Sequence, residues 1–243
     1  MKKAAIIVAG GSGNRMQSDL PKQFIEIGGV PILMHTMKQF MAYDSDILLK
    51  IVLPENQITF WESLCLKYQD FMQKLPHEVI IGGETRFQSA KNGINAIHFE
   101  EGLVAIHDGV RPFVSKEIIN KSFEIAQEKG SAVVCVPLKD SARVLINGYQ
   151  NQAVDRTLYR LIQTPQTFQL SILRKAYQSP ELSTFTDDAS VVEAAGFKIT
   201  LIEGAYENIK ITTPEDLLWA EVFLVNNANI ALNKNRDSEL ISQ

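Results

Sequence analysis

Two cations lie close to a glycine-rich stretch near the start of the chain. The sequence VAGGSGNRMQSDLPKQ runs from residue 8 to residue 23 and contains three glycines, Arg15 and Lys22. Glycines have no Cβ, so successive backbone N–H groups can converge on an anion, and two nearby cations suit a polyphosphate. The stretch therefore predicts a phosphate-binding loop. The structural alternative is a plain tight turn.

Two better-known glycine motifs are absent from this stretch. The pattern GxxxxGK[ST] does not occur, which excludes a Walker A loop, and with Gly11 and Gly13 counted as the start of GxGxxG the third glycine is replaced by Met16. The missing glycine also argues against an NAD-dependent oxidoreductase. Pro21 fixes its own backbone φ and stiffens the chain before Lys22. We therefore expect a polyphosphate rather than a dinucleotide.

A carboxylate and an arginine follow a later hydrophobic run. The motif HDGVRPF spans residues 107–113 and places Asp108 at the end of a strand-like segment. Mg²⁺ typically takes one or two carboxylates together with phosphate oxygens, so Asp108 is a candidate metal ligand. An aspartate that caps the turn is the structural alternative. His107 is interpreted as a strand-end histidine, and Arg111 as either a phosphate ligand or an ion-pair partner.

A second glycine stretch, GGETRFQS at residues 82–89, also follows a hydrophobic run. Gly83 would let the backbone approach a base or a ribose, and Ser89 offers a hydroxyl group from the first turn of the next helix. The structural alternative is a glycine turn into that helix, with Glu84 favourable to the helix dipole.

Short β-branched runs alternate with helix-like segments along the chain. The predicted strands are residues 4–9, 47–53, 78–81, 103–107, 132–136 and 199–202, and the predicted helices are residues 31–42, 56–72, 86–98, 115–128, 188–195 and 214–227. Continuous apolar runs are typical of parallel strands buried on both faces. The fold class is therefore α/β, a Rossmann-like, mostly parallel open sheet flanked by helices, in which ligands bind at the carboxyl ends of the strands.

The segment from Pro137 to Pro165 shows no helical pattern. Its stretches SARVLI and YQNQAV flank Asn147 and Gly148, which is a strong signal for a two-residue hairpin. An isolated two-stranded ribbon is only marginally stable in water. The hairpin is therefore either a solvated excursion or a protruding β-arm, at about residues 137–160, that packs on a second subunit.

Composition narrows the class of protein. The chain has 243 residues, 45% of them hydrophobic, and a formal net charge of −4. This length suits one domain over residues 1–243, and the acidic balance argues against general binding to nucleic acid or to an anionic membrane. No apolar run approaches ~18 residues, and the two cysteines lack CxxC spacing and are expected to be buried thiols. Together these features predict a soluble, cytoplasmic protein.

Motifs along nearly the whole chain resemble those of the nucleotidyltransferases that activate sugar and polyol phosphates. They are AGGSGNRM, PKQF, GGETRFQS, HDGVRPF, VDR (154–156), QTPQTF (163–168), TDDAS (186–190) and ENIKIT (207–212). More narrowly, their order and spacing resemble the family of 2-C-methyl-D-erythritol 4-phosphate cytidylyltransferases of the non-mevalonate isoprenoid pathway. The run AGG at residues 9–11 is more similar to the ribitol-5-phosphate cytidylyltransferases, whereas VDR and TDDAS resemble the methylerythritol branch.

This resemblance implies a homodimeric enzyme that uses CTP, 2-C-methyl-D-erythritol 4-phosphate and Mg²⁺. It implies catalytic roles for Arg15, Lys22, Arg156 and Lys210, of which the last two position the acceptor. It implies nucleotide contacts from Ala9, Gly10, Gly11, Gly13, Gly83, Glu84, Ser89 and Asp108, with the metal on Asp108. Contacts to the acceptor are expected from Arg111, Ser141 and Thr164. The family usually has aspartate where this chain has Glu84.

The implied reaction is attack by an acceptor phosphate oxygen on the α-phosphorus of CTP, which releases pyrophosphate and forms 4-diphosphocytidyl-2-C-methyl-D-erythritol. A phosphate with a second pKa of about 6 is largely dianionic at pH 7 and needs no general base. The remaining difficulty is the repulsion between two polyanions, which preorganised cations reduce. Two alternatives stay open: a ribitol-5-phosphate cytidylyltransferase, and a non-catalytic nucleotide-binding module on the same fold.

Overall fold

The computed structural model describes residues 1–11, 16 and 20–226. Its strands are β1 (Lys3–Val8), β2 (Glu26–Ile27), β3 (Val30–Pro31), β4 (Leu48–Leu53), β5 (Glu78–Ile81), β6 (Leu103–Asp108), β7 (Ser131–Pro137), β8 (Arg143–Asn147), β9 (Gln150–Ala153), β10 (Arg160–Gln169) and β11 (Leu201–Glu203). Its helices are α1 (Ile32–Tyr43), α2 (Ile58–Lys67), α3 (Gln69–Met72), α4 (Arg86–Asn95), α5 (Lys116–Lys129), α6 (Leu170–Ala176), α7 (Asp188–Ala194) and α8, described over 214–226.

Seven strands form the central sheet, in the spatial order β11-β7-β10-β6-β1-β4-β5. Neighbouring strands are parallel except that β10 runs antiparallel to both β6 and β7. The register pairs Val8 with Asp108 and with Val52, so the carboxyl ends of β1, β6 and β4 lie level. This arrangement confirms the predicted α/β class. Within the described residues, no helix has the length and apolar character that crossing a membrane requires.

Apolar side chains cover both faces of the sheet. On β1, Ala5 and Ile7 belong to one buried cluster, whereas Ala4 and Ile6 belong to another on the opposite face. The first cluster is completed by α1, α2 and α5, and the second by α4, α6 and α7. Burial on both faces explains why these strands read as continuous apolar runs.

β10 and α6 were not among the predicted elements. The strand sequence RLIQTPQTFQ is largely polar, and yet Gln163, Thr164 and Gln166 are buried. Their side chains hydrogen-bond to other segments of the chain: the amide of Gln163, for example, donates to the carbonyl oxygen of Ala205 at 2.8 Å. Because these polar groups are satisfied by partners distant in sequence, the strand has no apolar pattern that could reveal it.

The hairpin prediction is confirmed, with its turn displaced by one residue. Within the part of the chain that the structure describes, β8 and β9 pair only with each other, and Asn147 pairs with Gln150, so Gly148 and Tyr149 form the loop. Gly148 has φ +52°, a left-handed conformation that favours glycine. Every residue of β8 and β9 is exposed. The two cysteines are free thiols, Cys65 half-buried and Cys135 buried.

Candidate active site

A pocket of about 190 Å³ opens at the carboxyl ends of β1, β5 and β6. We call it the first pocket. It is lined by Val8, Ala9, Gly10, Gly11, Lys22, Gln23, Gly83, Glu84, Thr85, Arg86, Ser89, Asp108, Val110 and Lys210. The lining includes all the predicted nucleotide-binding residues that the structure describes, together with both predicted catalytic lysines. The other two predicted residues of the glycine loop, Gly13 and Arg15, lie outside the described residues.

Lys22 lies directly against the glycine segment that follows β1. A Cβ on Gly11 would stand 3.3 Å from the Cε atom of Lys22, so the glycine leaves room for the lysine stem. Lys22 begins a single 3-10 turn that is anchored by the buried ring of Phe24. In the same turn, the side-chain amide of Gln23 donates to the carbonyl oxygen of Ala9 at 2.7 Å. The PKQF motif is therefore tied to the end of β1.

The connection from β5 to α4 forms the opposite wall of the first pocket. The backbone N–H of Gly83 donates to the hydroxyl oxygen of Ser89 at 3.1 Å. A Cβ at Gly83 would come within 2.3 Å of the Cβ of Gln88, so this position requires glycine. Thr85 caps α4 by accepting from the backbone N–H of Gln88 at 3.1 Å. The predicted glycine turn into a helix and the predicted wall of a binding site are thus the same feature.

Asp108 is the buried carboxylate of the site. Its Oδ2 atom lies 3.0 Å from Nε of Arg111 and 3.1 Å from Nζ of Lys210. Burial by itself would raise the pKa of Asp108, but the charges of Lys210, Arg111 and Arg86 outweigh it and hold this pKa well below its usual range. Asp108 is therefore ionised at neutral pH.

His107 belongs to a buried hydrogen-bond chain beneath Asp108. Its Nε2 atom lies 3.1 Å from the carbonyl oxygen of Arg111, which can only accept, so Nε2 carries the proton. Nδ1 then accepts from the hydroxyl group of Thr164 at 3.0 Å, and the Thr164 oxygen accepts from the backbone N–H of Asp108 at 3.1 Å. Burial lowers the pKa of His107 to about 4, which keeps the ring neutral. This histidine lies at the end of β6, as predicted, and its hydrogen bonds fix the position of that end.

A second pocket, of about 280 Å³, adjoins the first beyond Asp108. It is lined by Arg86, Asp108, Arg111, Ile162, Gln163, Thr164, Gln166, Thr186, Asp187 and Lys210. Arg86, Asp108 and Lys210 line both pockets. Two of the three residues predicted to contact the acceptor, Arg111 and Thr164, line the second pocket.

Arg86 is a site residue to which sequence reasoning gave no role. Its two terminal nitrogens donate to the two carboxylate oxygens of Asp188 at 2.9 and 2.6 Å, across 102 positions of sequence. The hydroxyl group of Tyr177 also donates to Asp188, at 2.6 Å. The helix predicted at residues 188–195 is confirmed as α7, whose start within the TDDAS motif carries a capping box formed by Asp187 and Ser190.

The predicted residues Arg156 and Ser141 lie on and beside the hairpin, away from both pockets of the described chain. Arg156 is exposed and donates to the carbonyl oxygen of Lys139 at 2.6 Å. Ser141 is also exposed, directly before β8. Their predicted roles in positioning the acceptor stay predictions.

Comparisons with known sequences agree with the motifs. A sequence model of the family 2-C-methyl-D-erythritol 4-phosphate cytidylyltransferase matches residues 3–226. A protein of that name from Phocaeicola vulgatus is 46% identical over 224 residues, which cover 92% of this chain and 100% of the relative. Another, from Bacteroides thetaiotaomicron, is 48% identical over 217 residues, which cover 89% of this chain and 97% of the relative.

Solved structures share the fold. The chain resembles the crystal structure of a 4-diphosphocytidyl-2C-methyl-D-erythritol synthase from Anaerococcus prevotii with a TM-score of 0.78 and 28% identity, covering 92% of this chain and 96% of that one. A cytidylyltransferase structure from Thermus thermophilus gives a TM-score of 0.72 and 30% identity, covering 92% of this chain and 98% of that one. The sequence and structural matches together show that the chain belongs to the 2-C-methyl-D-erythritol 4-phosphate cytidylyltransferase family.

Proposed function

We propose that this chain transfers a cytidylyl group from CTP to 2-C-methyl-D-erythritol 4-phosphate, with CTP in the first pocket and the acceptor in the second. The observation that carries this assignment is the shared wall: Arg86, Asp108 and Lys210 line both pockets. Two phosphorylated substrates bound there meet at one set of charged groups. Family membership supplies the identity of the substrates and favours the methylerythritol acceptor over ribitol 5-phosphate.

The first pocket suits a nucleotide triphosphate. The backbone of residues 9–11 and of Gly83 lies open to it, which suits close approach by the nucleotide. Lys22 lies beside that backbone, where its charge offsets the developing charge of the pentacoordinate transition state. We assign the same role to Arg15, on the family motif alone.

The second pocket suits the acceptor phosphate. Arg111 and Lys210 supply two positive charges, both already oriented by Asp108. A phosphate dianion held there attacks the α-phosphorus in line with the departing pyrophosphate, so no protein group has to remove a proton. Because the hydroxyl proton of Thr164 is donated to His107, Thr164 acts by fixing the backbone of Asp108 rather than by donating to the substrate.

The donors of the site fit Mg²⁺ with Asp108 as its protein ligand. Arg111 and Lys210 both occupy Oδ2 of Asp108, so Oδ1 is the oxygen that would hold the ion. Among the described residues there is no cluster of three or more acidic, histidine or cysteine side chains that could form a complete cage. Mg²⁺ commonly takes most of its ligands from phosphate oxygens and water, so one carboxylate suffices. When bound, the ion would neutralise charge on the triphosphate.

We also propose a homodimer built through the β-arm. β8 exposes three consecutive apolar side chains: Val144 is 47%, Leu145 72% and Ile146 54% exposed. Two strands paired only with each other gain stability by packing on another surface. In such a dimer Arg156 of one subunit would enter the acceptor pocket of its partner.

The function is tested by measuring pyrophosphate release from CTP and Mg²⁺ with each acceptor in turn. We expect release that depends on 2-C-methyl-D-erythritol 4-phosphate and a much lower kcat/KM with ribitol 5-phosphate. A preference for ribitol 5-phosphate would reassign the acceptor. Tight binding of CTP without pyrophosphate release from either acceptor would instead indicate a non-catalytic nucleotide-binding module.

A further inference from the structure

We propose that Arg86 is a further substrate-contacting residue, whose guanidinium group is oriented by Asp188 to bind the α-phosphoryl group at the boundary between the two pockets. The inference rests on the proposed function, because it places the transferred group where the CTP and acceptor pockets meet. It also makes Asp188, through Arg86, a positioning residue.

Arg86 lies where the two pockets meet. It is the first residue of α4 and lines both pockets, as only Asp108 and Lys210 also do among the residues described. The phosphorus atom that is transferred must be reached from both substrates. A cation that faces both pockets is therefore next to the reacting group.

The ion pair is asymmetric in its exposure. The side chain of Asp188 is 0% exposed, whereas that of Arg86 is 30% exposed. Asp188 therefore lies in the protein interior, whereas part of the Arg86 side chain is open at the pockets that it lines. Guanidinium carries five N–H donors in a fixed plane, and Asp188 uses one on each terminal nitrogen, which leaves three for a ligand. Planar donors of this kind match phosphate oxygens.

The carboxylate of Asp188 is itself held in place, and it holds the orientation of the Arg86 guanidinium group. Asp188 lies at the first position of α7, and its carboxylate also accepts from the hydroxyl group of Tyr177 at 2.6 Å. Burial raises the pKa of Tyr177, so this hydroxyl keeps its proton and remains a donor. Asp188 is thereby fixed at both oxygens, and the plane of the Arg86 guanidinium is fixed with it.

The competing explanation is purely structural: the pair would only connect α4 to α7. The double variant R86Q/D188N separates the two explanations, because it removes both charges and keeps two polar side chains that can hydrogen-bond. Removing both partners together avoids the unpaired buried charge that a single substitution would leave, which is the main cost of breaking a buried ion pair. R86K is the second variant, since lysine keeps the charge but lacks the planar donors. R174Q is the matched control, because Arg174 also pairs with a carboxylate, Glu100, and lines neither pocket.

The readouts are the melting temperature, kcat with both substrates saturating, and the Kd of CTP with Mg²⁺ measured by calorimetry. For R86Q/D188N we expect a melting temperature close to that of the wild type, a kcat lower by about 100-fold, and a Kd for CTP higher by about 10-fold. R86K should lose kcat by about 10-fold. R174Q should keep the wild-type kcat and Kd.

A folded R86Q/D188N variant with wild-type kcat and Kd would overturn the inference. If the double variant does not fold, R86K decides, and a wild-type kcat in R86K overturns the inference. If the wild-type protein binds CTP but shows no turnover, the proposed function fails. In that case calorimetry alone decides the role of Arg86, and an unchanged Kd in the variants refutes it.

Discussion

At the scale of single residues, Arg86, Arg111 and Lys210 are each paired with a buried carboxylate rather than isolated. Arg86 is paired with Asp188, whereas Lys210 and Arg111 share one oxygen of Asp108. Pairing holds each cation in one orientation before a substrate arrives, which reduces the cost of orienting it during the reaction. It also explains how a chain with a net charge of −4 can present a local binding site for polyanions.

Lys22→Ala tests whether the lysine beside the glycine segment acts on the reaction. We expect kcat to fall by about 10²–10³-fold, as the loss of one preorganised electrostatic stabiliser does in other enzymes. Steady-state kinetics with CTP and the acceptor varied separately measure the effect. The control is Lys116→Ala, at the exposed start of α5. An unchanged kcat with only a raised KM for CTP would assign Lys22 to binding alone.

His107→Gln tests the buried histidine through the pH dependence of stability. The pKa of His107 is about 4 in the folded protein and about 6.5 when unfolded, so between these values the unfolded state binds more protons. Stability contributed by this residue is therefore complete above about pH 6.5 and is lost as the pH falls toward 4. Between pH 7 and pH 5 the wild type should lose about 2 kcal/mol more than the variant.

Urea unfolding of both proteins at pH 7 and pH 5 measures this difference. Two other buried or half-buried histidines, His35 and His77, also have lowered pKa values, but they are present in both proteins and cancel in the comparison. Asp108 acts on His107 as well, but its own pKa is held well below its usual range, so its charge does not change between pH 5 and pH 7. Equal losses in the two proteins would show that His107 is not the group responsible.

The sequence could predict site residues that directly follow strands. It could not predict pairs of residues whose two members lie far apart in the chain. Asp108 and Gly83 could be placed because each ends an apolar run, and parallel strands bring such ends to one edge. The pairing of Arg86 with Asp188 could not, because it joins two motifs 102 residues apart and nothing in either motif indicates its partner. The hydrogen bond from Thr164 to His107 spans 57 residues and was missed for the same reason.

At the scale of elements, the strands that could be recognised from the sequence are those whose buried side chains are apolar. β1, β4 and β6 are apolar throughout their buried positions apart from Lys50, His107 and Asp108, and all three were predicted. β10 is buried just as deeply over its second half, but its buried side chains are mostly polar. The buried polar side chains of β10 connect the sheet to the segments around the second pocket. Because they are polar, the strand shows no periodic pattern of apolar residues.

Gln166→Ala tests that role of β10. The side-chain oxygen of Gln166 accepts from the backbone N–H of Ala189 at 2.7 Å, and its amide donates to Asp187 at 2.8 Å. Truncation leaves a buried N–H at the start of α7 without a partner, which should cost about 1–3 kcal/mol in the free energy of unfolding. Urea denaturation measures the loss. Gln169→Ala, at the end of the same strand, should change stability by less than about 0.5 kcal/mol, and equal losses would contradict the argument.

At the scale of the whole molecule, contacts within one chain do not explain the apolar surface of the hairpin. The hairpin exposes Leu145 and Ile146 to solvent and places Arg156 outside both pockets of its own chain. A contiguous exposed apolar surface usually marks an interaction site. A partner subunit would account for the apolar surface and for the position of the arginine at once. Sequence patterns could predict the hairpin but not its contacts, because those depend on a second molecule.

Mixing two inactive variants tests whether Arg156 acts in the partner's site. Arg156→Ala disables the arm, and Lys22→Ala disables the first pocket. In a mixed dimer, the pocket of the Arg156→Ala subunit would receive the intact arm of the other subunit, which restores one of two sites. Random pairing at equal amounts makes half of the dimers mixed, so activity should recover to about a quarter of the wild-type value.

The recovery of activity requires the two subunits to form a dimer. Preventing dimer formation is therefore the control. Adding Leu145→Glu and Ile146→Glu to both variants replaces two exposed apolar side chains of β8 by charges, whose burial in an interface would be costly. The recovery should then disappear, and light scattering should report a mass near the 27.2 kDa of one chain. If the unmodified mixture is dimeric and yet shows no recovery, Arg156 acts within its own chain or not at all. In that case the site of each subunit has to be completed by residues other than those of the partner's arm.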